Sequence, residues 1–111
     1  MKKLCFLIST ALTVNALAES PMFEKDIRPI LKAHCFHCHG EEEELKGGLD
    51  VRLRRFLEKG GDSGPAIVAG DPAKSHILQL LKSGEMPKGQ SKLPDHEIAV
   101  IEKWIAAGAP T

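Results

Sequence analysis

The sequence predicts a small all-α domain of about four helices closed around a bound group. Three observations carry that reading. Apolar residues recur at helical spacing in four stretches, and no run alternates in the manner of a half-buried strand. The stretches are separated by loops that draw on ten glycines and seven prolines. The large side chains that could fill a core unaided are scarce: four Phe, one Trp and no Tyr in 111 residues. A chain of this size buries a modest core, and such domains commonly lean on a cross-link, a metal or a cofactor.

The first helix is expected from roughly Pro21 to Ala33, where Phe23, Ile27, Ile30 and Leu31 share one face. Pro29 inside it predicts a kink or an early first-turn boundary, because proline has no N–H to give the helix. Val51 to Glu58 reads as a short second helix with Leu53, Phe56 and Leu57 on one side, stopped at Lys59-Gly60-Gly61. Gly61 to Gly70 reads as a structured loop whose glycines let backbone approach something closely. Asp71-Pro72 opens the third helix, Asp as N-cap and Pro in the first position. Its apolar face is Ile77, Leu80 and Leu81, and Ser83-Gly84 ends it. Glu85 to Leu93 is a loop carrying Met86-Pro87. Pro94-Asp95 opens the last helix, lined by Ile98, Ile101 and Ile105 with Trp104 at its shoulder, and Gly108 and Pro110 close the chain.

Residues 1–18 do not count toward that fold. Lys2 and Lys3 are followed by a mostly apolar stretch from Leu4 to Val14 and then by Ala16-Leu17-Ala18. This is the pattern of a secretory signal peptide cleaved after Ala18. An uncleaved anchor is the competing reading, and the apolar run is short for a bilayer. Cys5 lies at the start of that run, whereas a lipoprotein would need its cysteine at the end. The mature chain is then one domain, residues 19–111. Loss of Lys2 and Lys3 turns a balance of 15 basic and 15 acidic residues slightly acidic. No basic stripe points to nucleic acid, and no later stretch suggests stable membrane insertion.

Cleavage removes Cys5 and leaves Cys35 and Cys38 alone. An exported pair would normally cross-link, but two residues so close in sequence close no useful loop. The run Cys35-Phe36-His37-Cys38-His39 has another use. Covalent haem c is made by adding two thiols across the two vinyl groups on one side of a porphyrin. Two intervening residues let one helical turn reach both, and the next histidine faces the ring centre as the proximal iron ligand. One haem c, held by Cys35 and Cys38 with His39 on the iron, is therefore expected. A zinc site from the two cysteines and two of His34, His37, His39 and His76 is a rival. A redox-active dithiol is a second rival, although these cysteines end a helix and a depressed thiol pKa needs a helix start.

A sixth iron ligand must come from the far side. Met22 lies near the cleavage site. Met86 lies downstream in a loop before Pro87, which fixes the approach of the residue ahead of it. Its soft thioether would favour ferrous iron, so Met86 is the expected distal ligand. His76, near the start of the third helix, is the alternative. His34 and His37 read as surface or carboxylate-side groups, His96 as solvated, and Glu41 to Glu44 as a solvated loop, with a docking patch for a basic partner as the lesser alternative.

Several stretches also resemble a known family: FEKDIRPILKAHCFHCHG, KGGLDV, GGDSGPAIVAGDPAKSHIL, MPKG and LPDHEIAVIEKWIAAGAP. Over Phe23 to Pro110 the chain is similar to the planctomycete-type cytochrome c domain, a small relative of class I cytochromes c. The resemblance implies haem on Cys35 and Cys38, His39 proximal and Met86 distal. It also implies that Trp104 packs near the crossing of the first and last helices. The chain departs from the family at Pro94, where a Ser or Thr cap is usual, and in the short segment Leu81 to Glu85 ahead of Met86.

The functional expectation is an exported, periplasmic bacterial monomer that carries single electrons between transient redox protein partners. It is expected to be a carrier and not an enzyme, since no acid–base pair or nucleophile suggests substrate turnover. The alternative is a haem-based sensor or ligand binder with a labile sixth ligand.

Overall fold

The computed structural model describes residues 20–111. The expected signal peptide, residues 1–18, lies outside the described residues. Within them the chain is helical, and the one strand-like feature is an isolated bridge between Gly61 and Gly64. Four α-helices run in order: α1 Arg28–His34, α2 Arg54–Lys59, α3 His76–Ser83 and α4 Asp95–Ala106.

Pro29 acts as the sequence predicts. A π-helical turn, Phe23–Ile27, precedes α1, and the proline stands in the first turn of α1, where a missing N–H costs no helical bond. Phe23, Ile27 and Leu31 are buried along one face, with Ile30 half-buried beside them. α4 also matches expectation: Ile98, Ile101, Trp104 and Ile105 are all buried. Pro94 stands at its N-cap and provides no side-chain hydrogen bond there.

Trp104 locks these two segments together. Its ring is fully buried and lies 5.7 Å from the Phe23 ring, centroid to centroid. Its indole N–H donates to the Pro110 carbonyl at 2.8 Å, and the Phe23 N–H donates to the same oxygen at 3.0 Å. The carbonyl reaches both because the chain reverses after α4 through Gly108 and Ala109, at φ 97° and 55°. Arg54 caps that reversal by donating to the Ala109 and Gly108 carbonyls while pairing with Glu58. The terminal Trp-to-Pro motif is thus a knot tying the C-terminus to the first helix.

Two helix boundaries differ from expectation. α2 begins at Arg54 and not at Val51. Leu49 to Val51 is instead engaged with His39, and the Val51 N–H donates to the His39 carbonyl at 2.9 Å. The third helix does open at Asp71, whose side chain accepts from the Lys74 N–H, but only as a 3-10 turn, Pro72–Lys74. The helix restarts at His76 because Ser75 is drawn into the preceding loop. Its buried hydroxyl accepts from the Val68 N–H at 2.8 Å and contacts the Asp71 carbonyl at 3.0 Å. The loop from Gly61 to Gly70 is held by backbone bonds to Leu57, Ile77 and Ile105. Of its glycines, Gly61 makes the close approach, and what it approaches is the chain itself: a Cβ there would collide with the backbone of Gly47 and Gly48, whereas Gly64 and Gly70 have open space at that position.

Candidate functional site

The attachment run continues from the end of α1. The Cys35 N–H still bonds the Leu31 carbonyl at 2.7 Å, and the His39 N–H bonds the Cys35 carbonyl at 3.0 Å. Cys35 and Cys38 are thus three residues apart on a helical path, the spacing at which side chains become neighbours. Both are free thiols. Phe36 between them points the other way and is buried at 3 % exposure, anchoring the run to the core. Arg28 lies 5.3 Å over its ring and donates to the Arg52 carbonyl. Gly40 then lets the chain leave tightly, since the Arg52 stem occupies the space a Cβ would need.

His39 is oriented by a group that residue-type reading missed. Its Nδ1 lies 3.2 Å from the Leu49 carbonyl oxygen. A carbonyl can only accept, so Nδ1 carries the proton and Nε2 keeps its lone pair for a metal. No residue-level signal marks a carbonyl, which any residue can offer.

Cys35, Cys38 and His39 line one cavity of about 530 Å3, and Met86 lines it too. So does His76. The volume suits a cofactor-sized guest. The apolar wall includes Leu49, Val51 and Ala66, and α3 contributes Ile77, Leu80 and Leu81, the face expected from its periodicity. The buried Leu78 of α3 turns instead to the core, shared with Leu81. Gly47 and Gly64 also line the cavity with no atom near their Cβ positions, both at positive φ. Met86 is half-buried, and its N–H donates to the Leu80 carbonyl at 3.2 Å, which ties its loop to α3.

Burial, and secondarily the neighbouring Cys38, push the Cys35 thiol up to about 11. A reactive dithiol needs the opposite shift. Among the described residues no three His, Cys, Asp or Glu side chains converge as metal ligands, so a zinc site built from the cysteines and histidines finds no frame. His34 Nε2 donates to the Glu97 carboxylate at 3.0 Å, linking the end of α1 to α4, and His37 is exposed beside Glu42. His96 is exposed. A thiol pair, an oriented imidazole and a thioether around an apolar cavity fit a covalently held haem. Sulfur additions, a nitrogen ligand and a soft far ligand are the chemistry that group requires.

The sequence model of the family described as Planctomycete cytochrome C matches residues 35–90, just over half of the chain. The chain belongs to that family. It is a c-type cytochrome, and haem c is the cofactor the family implies. The match begins at Cys35 and takes in the glycine loops, α3 and Met86. No curated protein and no solved structure matches the chain. No helix among the described residues is long and apolar enough to cross a membrane.

Proposed function

We propose that this planctomycete cytochrome c carries single electrons through one haem between exported protein partners. The observation that supports this most is the convergence of Cys35, Cys38, His39 and Met86 on a single apolar cavity. In this reading Cys35 and Cys38 form the two thioethers, His39 is the proximal ligand and Met86 the distal one. A bound haem c supplies an iron that alternates between the ferric and ferrous states.

The protein's part is to keep that change small and fast. The Leu49 carbonyl fixes the His39 ring, and the Leu80 carbonyl restrains the Met86 backbone. Ligands held on both sides need little rearrangement when the charge changes. The apolar lining disfavours the more highly charged ferric form, and the thioether does the same, so both raise the potential. Electrons would pass at the exposed edge during transient docking, with export following from the segment 1–18.

The oxidised visible spectrum tests the reading. The unaltered protein should show low-spin iron with a thioether-to-ferric-iron band, and Met86→Ala should lose that band. High-spin iron that readily takes up carbon monoxide or azide in the unaltered protein would replace the carrier by a sensor or ligand binder.

A further inference from the structure

The basic side chains lining the cavity fall into two groups once their partners are traced. Those of the attachment segment are engaged by the protein: His34 with Glu97, His37 with Glu42 and His39 with the Leu49 carbonyl. The others are Lys46, His76 and Lys88. None of these three side chains has a hydrogen-bond or ion-pair partner among the described residues. Among the described residues no Asp or Glu lines the cavity. An apolar cavity that ends in unpaired basic groups suits a guest with an apolar body and an anionic edge, since a buried anion is costly without a donor.

Helix α3 sets where His76 stands relative to Met86. The Met86 N–H bonds the Leu80 carbonyl, so the thioether loop is tied to the C-terminal half of α3. His76 is the first residue of α3 and comes four residues before Leu80, about 6 Å along the helix axis. Both side chains line the cavity. A side chain that starts more than a helical turn from the point where the Met86 loop is tied suits the rim of a porphyrin whose iron faces Met86. The rim opposite the cysteine-bonded vinyl carbons carries the two haem carboxylates.

Resting on the haem reading above, we propose that His76 is a hydrogen-bond donor to a haem carboxylate and not an iron ligand, with Lys46 and Lys88 adding positive charge at the same rim. His76 is then a positioning residue. It orients the cofactor edge and offsets a negative charge that the iron would otherwise feel.

The test uses the haem-loaded full chain and compares the unaltered protein with His76→Phe and His76→Gln. His76→Phe should keep the low-spin ferric spectrum and its thioether band. Its carboxylate bending band in resonance Raman should shift, and its reduction potential should fall. His76→Gln, which retains an N–H donor, should return both toward the parent. A carboxylate band unmoved in His76→Phe overturns the proposal. So does a low-spin parent without a thioether band whose iron turns high-spin, or gains that band, in either variant, which would put His76 on the iron. If His76→Phe does not accumulate, His76→Gln still decides, since an axial ligand replaced by an amide changes the iron spectrum and a rim donor so replaced does not. Absence of covalent haem from the unaltered chain is a different result: it defeats the haem reading and the proposal with it.

Discussion

The crossing of α4 with the first helical turn and the cavity beside α3 are both apolar, yet they are built in opposite ways. At the crossing the chain spends its largest side chains. Trp104, Phe23, Ile27 and Ile105 are all at 2 % exposure or less and close on one another. At the cavity the chain supplies branched side chains of moderate size and glycines, and leaves about 530 Å3 between them. The difference teaches how so small a domain divides its stabilisation. One half of the interior is self-sufficient, and the other leaves room for the guest that Cys35 and Cys38 are proposed to hold.

The largest expected effect breaks the cavity side. A Cys35→Ser, Cys38→Ser double variant removes both attachment points. It should lose haem staining on a denaturing gel, and its thermal unfolding by circular dichroism should become broad and poorly cooperative. A sharp, unaltered melt would mean that the cavity half folds without its guest.

The crossing is broken next by Trp104→Ala. It deletes a buried indole and its bond to Pro110, and should cost about 3–5 kcal/mol in denaturant titration of the haem-loaded protein. The haem spectrum of the variant should stay close to the parent while it remains folded, because Trp104 does not line the cavity. A spectrum that changes as much as stability would merge the two regions into one.

How far these two regions were legible in the sequence follows from the same contrast. The crossing was legible because burial on a helix leaves a period, which Phe23, Ile27 and Leu31 and the isoleucines of α4 display. Cys35, Cys38 and His39 stand out in the sequence as residue types at fixed spacing, and the structure lines one cavity with all three. The wall of the cavity was legible only in part. Ile77, Leu80 and Leu81 showed as a face, but nothing in them told that the face meets a cavity while Leu78 meets the core. The Leu49 carbonyl that orients His39 is a backbone atom and carries no residue signature. The break at Ser75 was hidden because Asp71-Pro72 is a strong helix start, and a hydroxyl drawn to Val68 and Asp71 overrides it locally. The pairing of His34 with Glu97 spans 63 residues, beyond any local pattern.

The smallest effect sharpens the comparison at the segment that joins the regions. Arg52 donates to Asp50 from its side chain and backbone, and holds the Asp50 carboxyl below its usual range. A carboxyl whose folded pKa lies below its unfolded value adds stability that is complete above the unfolded value. That stability is lost as pH falls through the folded one. The pair is partly exposed, so the contribution should be well under that of a buried pair. Asp50→Asn should therefore be slightly less stable at neutral pH and should lose less stability on acidification to about pH 3. Parallel urea titrations at the two pH values measure it, and equal losses in parent and variant would remove Asp50 from the acid response.

The central claim is that Cys35 and Cys38 hold one haem covalently. Its most direct measurement is the pyridine haemochrome spectrum of protein produced together with haem c maturation machinery. The account predicts the spectrum of a haem with both vinyl groups saturated, at one haem per chain. A spectrum with an unsaturated vinyl, or no haem at all, would contradict it.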